Sequence, residues 1–178
     1  MLRKILSYGT LAGAIVGVPM VALSVALKGP LPGPWGMAVG YLTMLLALST
    51  VFVAIKRHRD EAGGGVIGFW PALGLGLGIS LVASILYMLT WEATLALTKM
   101  DYIGEYAKVM VSEQRAKGVS AEALAAFTAE MEQLKQQYAN PLFRMPMTFV
   151  EIFPVGLLVS LVSAGLLRNS RFLPSRQT

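Results

Sequence analysis

Residues 148–167 read TFVEIFPVGLLVSLVSAGLL, and nearly all of them suit the interior of a lipid bilayer. Crossing roughly 30 Å of hydrocarbon takes about 20 apolar residues in helical form, so the stretch is the length of a membrane span. It nevertheless carries a carboxylate, Glu151, and a proline, Pro154, within its first two turns. An ionisable group inside a span is costly and by default marks a site, either a helix contact or a path for protons or ions.

The rest of the chain has the same character. Of 178 residues, 55% are hydrophobic and 14% charged, whereas soluble domains run at about one quarter charged. The length permits one compact bundle, and residues 1–178 are read as a single membrane domain. Four apolar runs, 5–27, 36–55, 72–98 and 147–167, approach or exceed the length of a span. The first is too long for a discarded signal peptide. It also carries Gly9, Gly13 and Gly17 at four-residue spacing, a face that lets another helix backbone come close. The expected fold is therefore all-α: a polytopic bundle of four transmembrane helices, with a helical hairpin between the third and fourth.

Small residues recur in the later spans. Gly76, Ser80, Ser84, Met88 and Glu92 follow at four-residue spacing in the third, Gly156, Ser160 and Ala164 in the fourth, and Gly36 and Gly40 lie in the second. Such stripes are helix contacts, and they predict a tight four-helix bundle. The run GLGLG at Gly74–Gly78 is not a dinucleotide loop, because no strand precedes it and it lies inside an apolar span.

Basic residues near spans are retained on the cytoplasmic side. With both termini inside, the inner segments hold eight basic residues (Arg3, Lys4, Lys56, Arg57, Arg59, Arg168, Arg171, Arg176) against Asp60 and Glu61, a balance of +6. The outer segments hold seven basic against six acidic residues, a balance of +1. This distribution places both termini in the cytoplasm. It also accounts for the net charge of +5 without nucleic acid as a partner, since the basic residues flank lipid rather than form a stripe. KGPLPGPWG, 28–36, reads as a rigid outer turn with Trp35 at the interface. KRHRDEAGGG, 56–65, reads as the inner loop. Its Lys56, Arg57 and Arg59 are either a solvated topology signal or contacts to anionic lipid, and His58, the only histidine, is no metal site on its own.

Residues 101–140 read as two amphipathic helices outside the membrane. Tyr102, Ile103, Tyr106, Val109 and Met110 form one stripe, and Leu124, Phe127, Met131, Leu134 and Tyr138 a narrow seam that can face it. Gly118 stops the first helix, Ser120 caps the second and Asn140–Pro141 ends it. The hairpin is either a cap that buries its own seam or a docking element for an extracytoplasmic partner.

The segments YGTLAGAIVG, GYLTMLLALSTVFVAIKRHRDE, SLVASILYMLTWE and NPLFRMPMTFVEIFPVGLLVSLVSAGLL, in this order and spacing, resemble the bacterial domain of unknown function 4199 family over nearly the whole chain. The resemblance implies a bacterial inner-membrane protein with four helices and no assigned activity.

Chemistry is sparse. A single histidine excludes the two-histidine zinc motif, no G-x-S-x-G elbow occurs, no aspartate lies in a span, and there are no cysteines. The chain is read as a non-enzyme without cofactor or metal. Two classes remain. One is a structural or accessory bundle that engages lipids, a second copy of itself or other membrane proteins. The other is a small proton- or cation-coupled carrier that uses Glu92 and Glu151. Each of these carboxylates stands seven residues from a basic landmark, Lys99 or Arg144. That spacing suggests equal depth and a shared, proton-bridged site beside the backbone carbonyl that Pro154 leaves unpaired. In this reading Glu151 faces the bundle interior, since Gly156 and Ser160 lie on the other side of an ideal helix.

Overall fold

The computed structural model describes residues 1–27 and 34–174, and among these every regular element is an α-helix. Six follow in order: α1 (Leu2–Leu27), α2 (Pro34–Ala62), α3 (Phe69–Thr98), α4 (Tyr102–Ala116), α5 (Ala121–Tyr138) and α6 (Pro141–Leu167). α1, α2, α3 and α6 are long and apolar enough to cross a membrane. Residues 28–33 and 175–178, Arg176 among them, and the surroundings of residues 34–37, Trp35 and Gly36 included, lie outside the described residues.

All four long helices run past the expected spans, α2 and α6 by the most. α2 continues through Lys56–Glu61, so the stretch read as a loop is helix as far as Ala62. The pairs Lys56–Asp60 and Arg57–Glu61 sit one turn apart on the helix surface and stabilise that extension. The turn comes only at the glycines, where Gly64 and Gly65 have φ of 58° and 88°, a backbone region costly for any residue with a Cβ. α6 starts at Pro141 rather than 147. The Asn140 carboxamide accepts from the Leu142 amide at 3.0 Å, and Pro141 occupies a position whose amide needs no partner. Pro71 plays the same part in the first turn of α3, and a left-handed Lys99 with φ of 52° ends that helix.

α3 is the centre of the bundle, packed most extensively against α1 on one side and α6 on the other, with α2 bridging α1 and α6. The α1–α3 contact is parallel. A Cβ placed on Gly9 would meet Val82, on Gly13 Leu86, and on Gly17 Thr90, each at 3.3 Å or less, so both helices advance four residues per contact. The α3–α6 contact is antiparallel. Gly76 abuts Ser160 and Gly156 abuts Ser80, each glycine receiving the other helix's serine, and the two hydroxyls meet at 3.2 Å. Only glycine allows backbones this close. α1 and α2 are also antiparallel, joined by Lys4–Glu61 at 2.8 Å and by Arg57 donating to the Tyr8 hydroxyl at 3.3 Å. Both chain termini therefore lie at one end of the bundle, and α4–α5 at the other.

Of the two glycines expected as a stripe on α2, Gly40 faces open space, as does Gly74 on α3, and the surroundings of Gly36 lie outside the described residues. α2 instead packs through Leu48, Val51 and Ile55, all fully buried. The outward surfaces of the four long helices carry Leu11, Val18, Leu42, Leu45, Leu46, Val53, Leu89, Leu158 and Val162. An apolar surface of that extent suits lipid and not water.

Candidate functional site

The charged side chains Glu92 and Arg144 meet where α3 ends and α6 begins, under the hairpin. α4 and α5 pack against each other, and in α5 the seam positions Leu124, Phe127, Met131, Leu134 and Tyr138 are covered by neighbours, together with Lys135. Their helix starts follow sequence chemistry. Asp101 accepts from the Gly104 amide at 3.1 Å, Ser120 from the Ala123 amide at 3.2 Å, and Gly118, with φ of 71°, turns the chain between them.

The antiparallel register that pairs Gly76 with Ser160 sets Glu92 against Arg144. The Arg144 guanidinium donates through Nε to Glu92 Oε1 at 2.7 Å and through Nη2 to Oε2, a two-point fork that occupies both carboxylate oxygens. The pair is largely covered, with side chains 14% and 19% exposed. Arg144 Nη1 donates to the Tyr138 carbonyl at 3.0 Å, and its guanidinium lies 5.5 Å from the Tyr138 ring centre. The Tyr138 hydroxyl accepts from Trp91 Nε1 at 2.7 Å, and the Trp91 ring meets Tyr102 edge to face at 4.8 Å. Helices α3, α4, α5 and α6 are thus tied at one point. Burial pushes the Tyr102 phenol up to about 12 and also raises Tyr138, so both stay neutral near pH 7.

Glu92 and Glu151 therefore do not share a proton. In the register that faces Glu92 with Arg144, Glu151 is level with residue 85, and the two carboxylates are about 10 Å apart in depth. Lys99 and Arg144 are not at one depth, because Arg144 has moved down to be a partner rather than a landmark. Glu151 also does not face the interior. Gly156 and Ser160 are buried against α3, and Glu151, on the opposite side of α6, is exposed, with only its tip accepting from the Tyr87 hydroxyl at 3.4 Å. Pro154 is exposed nearby, inside a helix that continues to Leu167.

The basic cluster at the other end is likewise rearranged. Arg59 is fully buried and donates to the carbonyls of Leu167 at 3.5 Å, Phe172 at 2.9 Å and Leu173, besides pairing with Asp60 at 3.0 Å. It caps the end of α6, where carbonyls lack helical partners and the dipole favours a cation. Arg59 is therefore not a lipid contact. Lys56 and Arg57 are held by Asp60 and Glu61. His58 lies on α2 with a buried Nδ1 that has no partner among the described residues.

Sequence reasoning missed Tyr87 and Trp91 because it followed strict four-residue spacing. Each such step overshoots a turn of 3.6 residues by about 40°, so the face drifts. The buried line on α3 is Gly76, Ser80, Ser84, Tyr87, Trp91 and Thr94, with shorter steps that correct the drift, and Met88 falls off it. Among the described residues no group of three metal-ligating side chains of the His, Asp and Glu type occurs.

The model of a protein family of unknown function, DUF4199, matches residues 7–169. The chain belongs to that family. Neither a curated protein nor a solved structure matches it.

Proposed function

We propose that the chain is a structural or accessory bundle of a bacterial inner membrane, with both termini cytoplasmic and the α4–α5 hairpin outside, engaging lipids or other membrane proteins without catalysing a reaction. The observation that carries this reading is the Glu92–Arg144 fork, which neutralises one of the two intramembrane carboxylates and spends it on tying α3 to α6. The seams α1–α3 and α3–α6 support it, since they are closed by glycine and serine and offer no evident path for alternating access. The orientation follows from the basic excess at the end that carries the termini.

A specific observation keeps the carrier reading as the second. Glu151 has one long hydrogen bond and no cationic partner among the described residues, so it is the group a proton or cation would use. Protein reconstituted in vesicles with an internal pH dye separates the two. The accessory reading expects no proton leak beyond that of empty vesicles. Flux that disappears in Glu151→Gln and persists in Glu92→Gln would overturn it in favour of a carrier. Labelling of single cysteines introduced at 58 and 118 tests the orientation: 118 should react from the outer side and 58 only from the inner side.

A further inference from the structure

The termini end carries more positive charge than its own acids absorb. Asp60 is taken by Lys56 and Arg59, and Glu61 by Lys4 and Arg57. Arg168 and Arg171 are exposed, and among the described residues their side chains enter no ion pair or hydrogen bond.

The turn that bears them is held in place. The buried Arg59 guanidinium grips the carbonyls of Leu167, Phe172 and Leu173, so the chain after α6 folds back onto α2. The Phe172 ring sits edge-on to Phe52 at 6.4 Å, and its amide donates to the Asn169 carbonyl at 3.0 Å. The Arg171 amide donates to Asn169 Oδ1 at 3.0 Å. Leu173 has a φ of 49°, a left-handed conformation that a leucine keeps only when its surroundings hold it there. Two arginines three residues apart are therefore presented from a built turn.

Their depth is that of headgroups. The antiparallel register that pairs Gly76 with Ser160 brings residue 68, eight residues before Gly76, level with Arg168, eight residues after Ser160. Beside that level stands Trp70, 76% exposed in the first turn of α3, the type of residue that marks a membrane–water boundary.

We propose that Arg168 and Arg171 form a docking surface for the phosphate-bearing headgroup of an anionic phospholipid in the leaflet at the termini end. Guanidinium groups match phosphate by paired hydrogen bonds, and their planar forks suit that geometry better than an ammonium would. The lipid contact lies after α6; of the α2 cluster that looked suited to it, Arg59 holds the turn, and Lys56 and Arg57 are paired with Asp60 and Glu61. Arg59 acts as a positioning residue for the surface. The proposal rests on the reading of the chain as a lipid-engaging bundle and names the lipid chemistry involved.

The test uses the full chain in phosphatidylcholine nanodiscs, with and without phosphatidylglycerol, at low salt. The anionic lipid should raise Tm by roughly 2–4 °C, and the rise should shrink in about 1 M salt, where the screening length is about 3 Å. R168Q/R171Q should fold normally in phosphatidylcholine and lose most of the rise, whereas R57Q should keep it. A double variant that keeps more than half of the rise, a wild-type protein with no rise, loss of the rise in R57Q, or an equal rise from inorganic phosphate in pure phosphatidylcholine would each overturn the proposal. Proton flux in vesicles would reject the accessory reading and leave this lipid increment untouched, so the two failures are distinguishable.

Discussion

The two faces of α3 solve the same packing problem differently. Toward α1 the seam is steric: three glycines receive Val82, Leu86 and Thr90, and none of the contacts is a hydrogen bond between the helices. Toward α6 the seam changes along its length, from interlocked glycine and serine at its middle to the Glu92–Arg144 fork under the hairpin. In lipid, apolar surface supplies little drive for helices to associate, and close packing and interhelical polar bonds carry that role. The α1 seam relies wholly on the first and the α6 seam on both. The α1 seam should therefore be sensitive to added volume, and the hairpin end of the α6 seam to lost charge.

Arg144→Gln should be the most damaging change, because it leaves the Glu92 carboxylate covered and uncompensated. Loss of one partner of a buried pair costs about 3–5 kcal/mol. The double variant Glu92→Gln/Arg144→Gln should recover much of that in thermal unfolding in detergent. If it is no better than the single variant, the α6 seam does not depend on the pair as a pair.

Gly13→Leu should come next, at about 1–3 kcal/mol, since even a Cβ would lie 2.9 Å from the Leu86 Cβ. Leu11→Ala, at a position 49% exposed toward lipid, should move Tm hardly at all. Equal melting temperatures for these two variants would remove the steric account of the α1 seam.

Ser160→Ala is expected to cost only about 0.6 kcal/mol, the average for an interhelical hydrogen bond in a membrane bundle. Ser160 also bonds back to the Gly156 carbonyl at 2.7 Å, so the contact with Ser80 is not its sole outlet. A loss several times larger would mean that the middle of the α6 seam is polar in energy as well as in composition.

The smallest effect should be that of Glu151→Gln, because the amide keeps an acceptor for the Tyr87 hydroxyl and little else holds the side chain. A melting temperature that falls by as much as in Arg144→Gln would place Glu151 inside the seam after all.

Much of this contrast is legible before folding is considered. Gly9, Gly13 and Gly17 stand at the α1–α3 contact, and Gly76, Ser80, Gly156 and Ser160 at the α3–α6 contact, a use that small residues repeated each turn have in lipid. The hairpin seam and the Ser120 and Asn140 caps follow from local periodicity and hydrogen-bonding chemistry. Arg144 and Arg59 escape that logic. Both are basic residues near a span end, which the distribution of charge explains equally well as topology signals, and nothing local distinguishes a cation that faces headgroups from one that turns inward to a carboxylate or a carbonyl.

By itself, then, the amino-acid sequence determines the four spans, their small-residue faces, the hairpin and its caps. The bilayer's thickness and the demand that every backbone group be paired within its own helix are constraints along a single segment, and a segment carries its answer in its composition and period. Only the tertiary structure decides that Glu92 belongs to Arg144, that Glu151 is left outside, and that Arg59 closes the end of α6. Those outcomes depend on the sliding register between helices about 50 to 110 residues apart. A shift of one turn, about 5.4 Å, would exchange every partner while leaving each helix's own pattern unchanged.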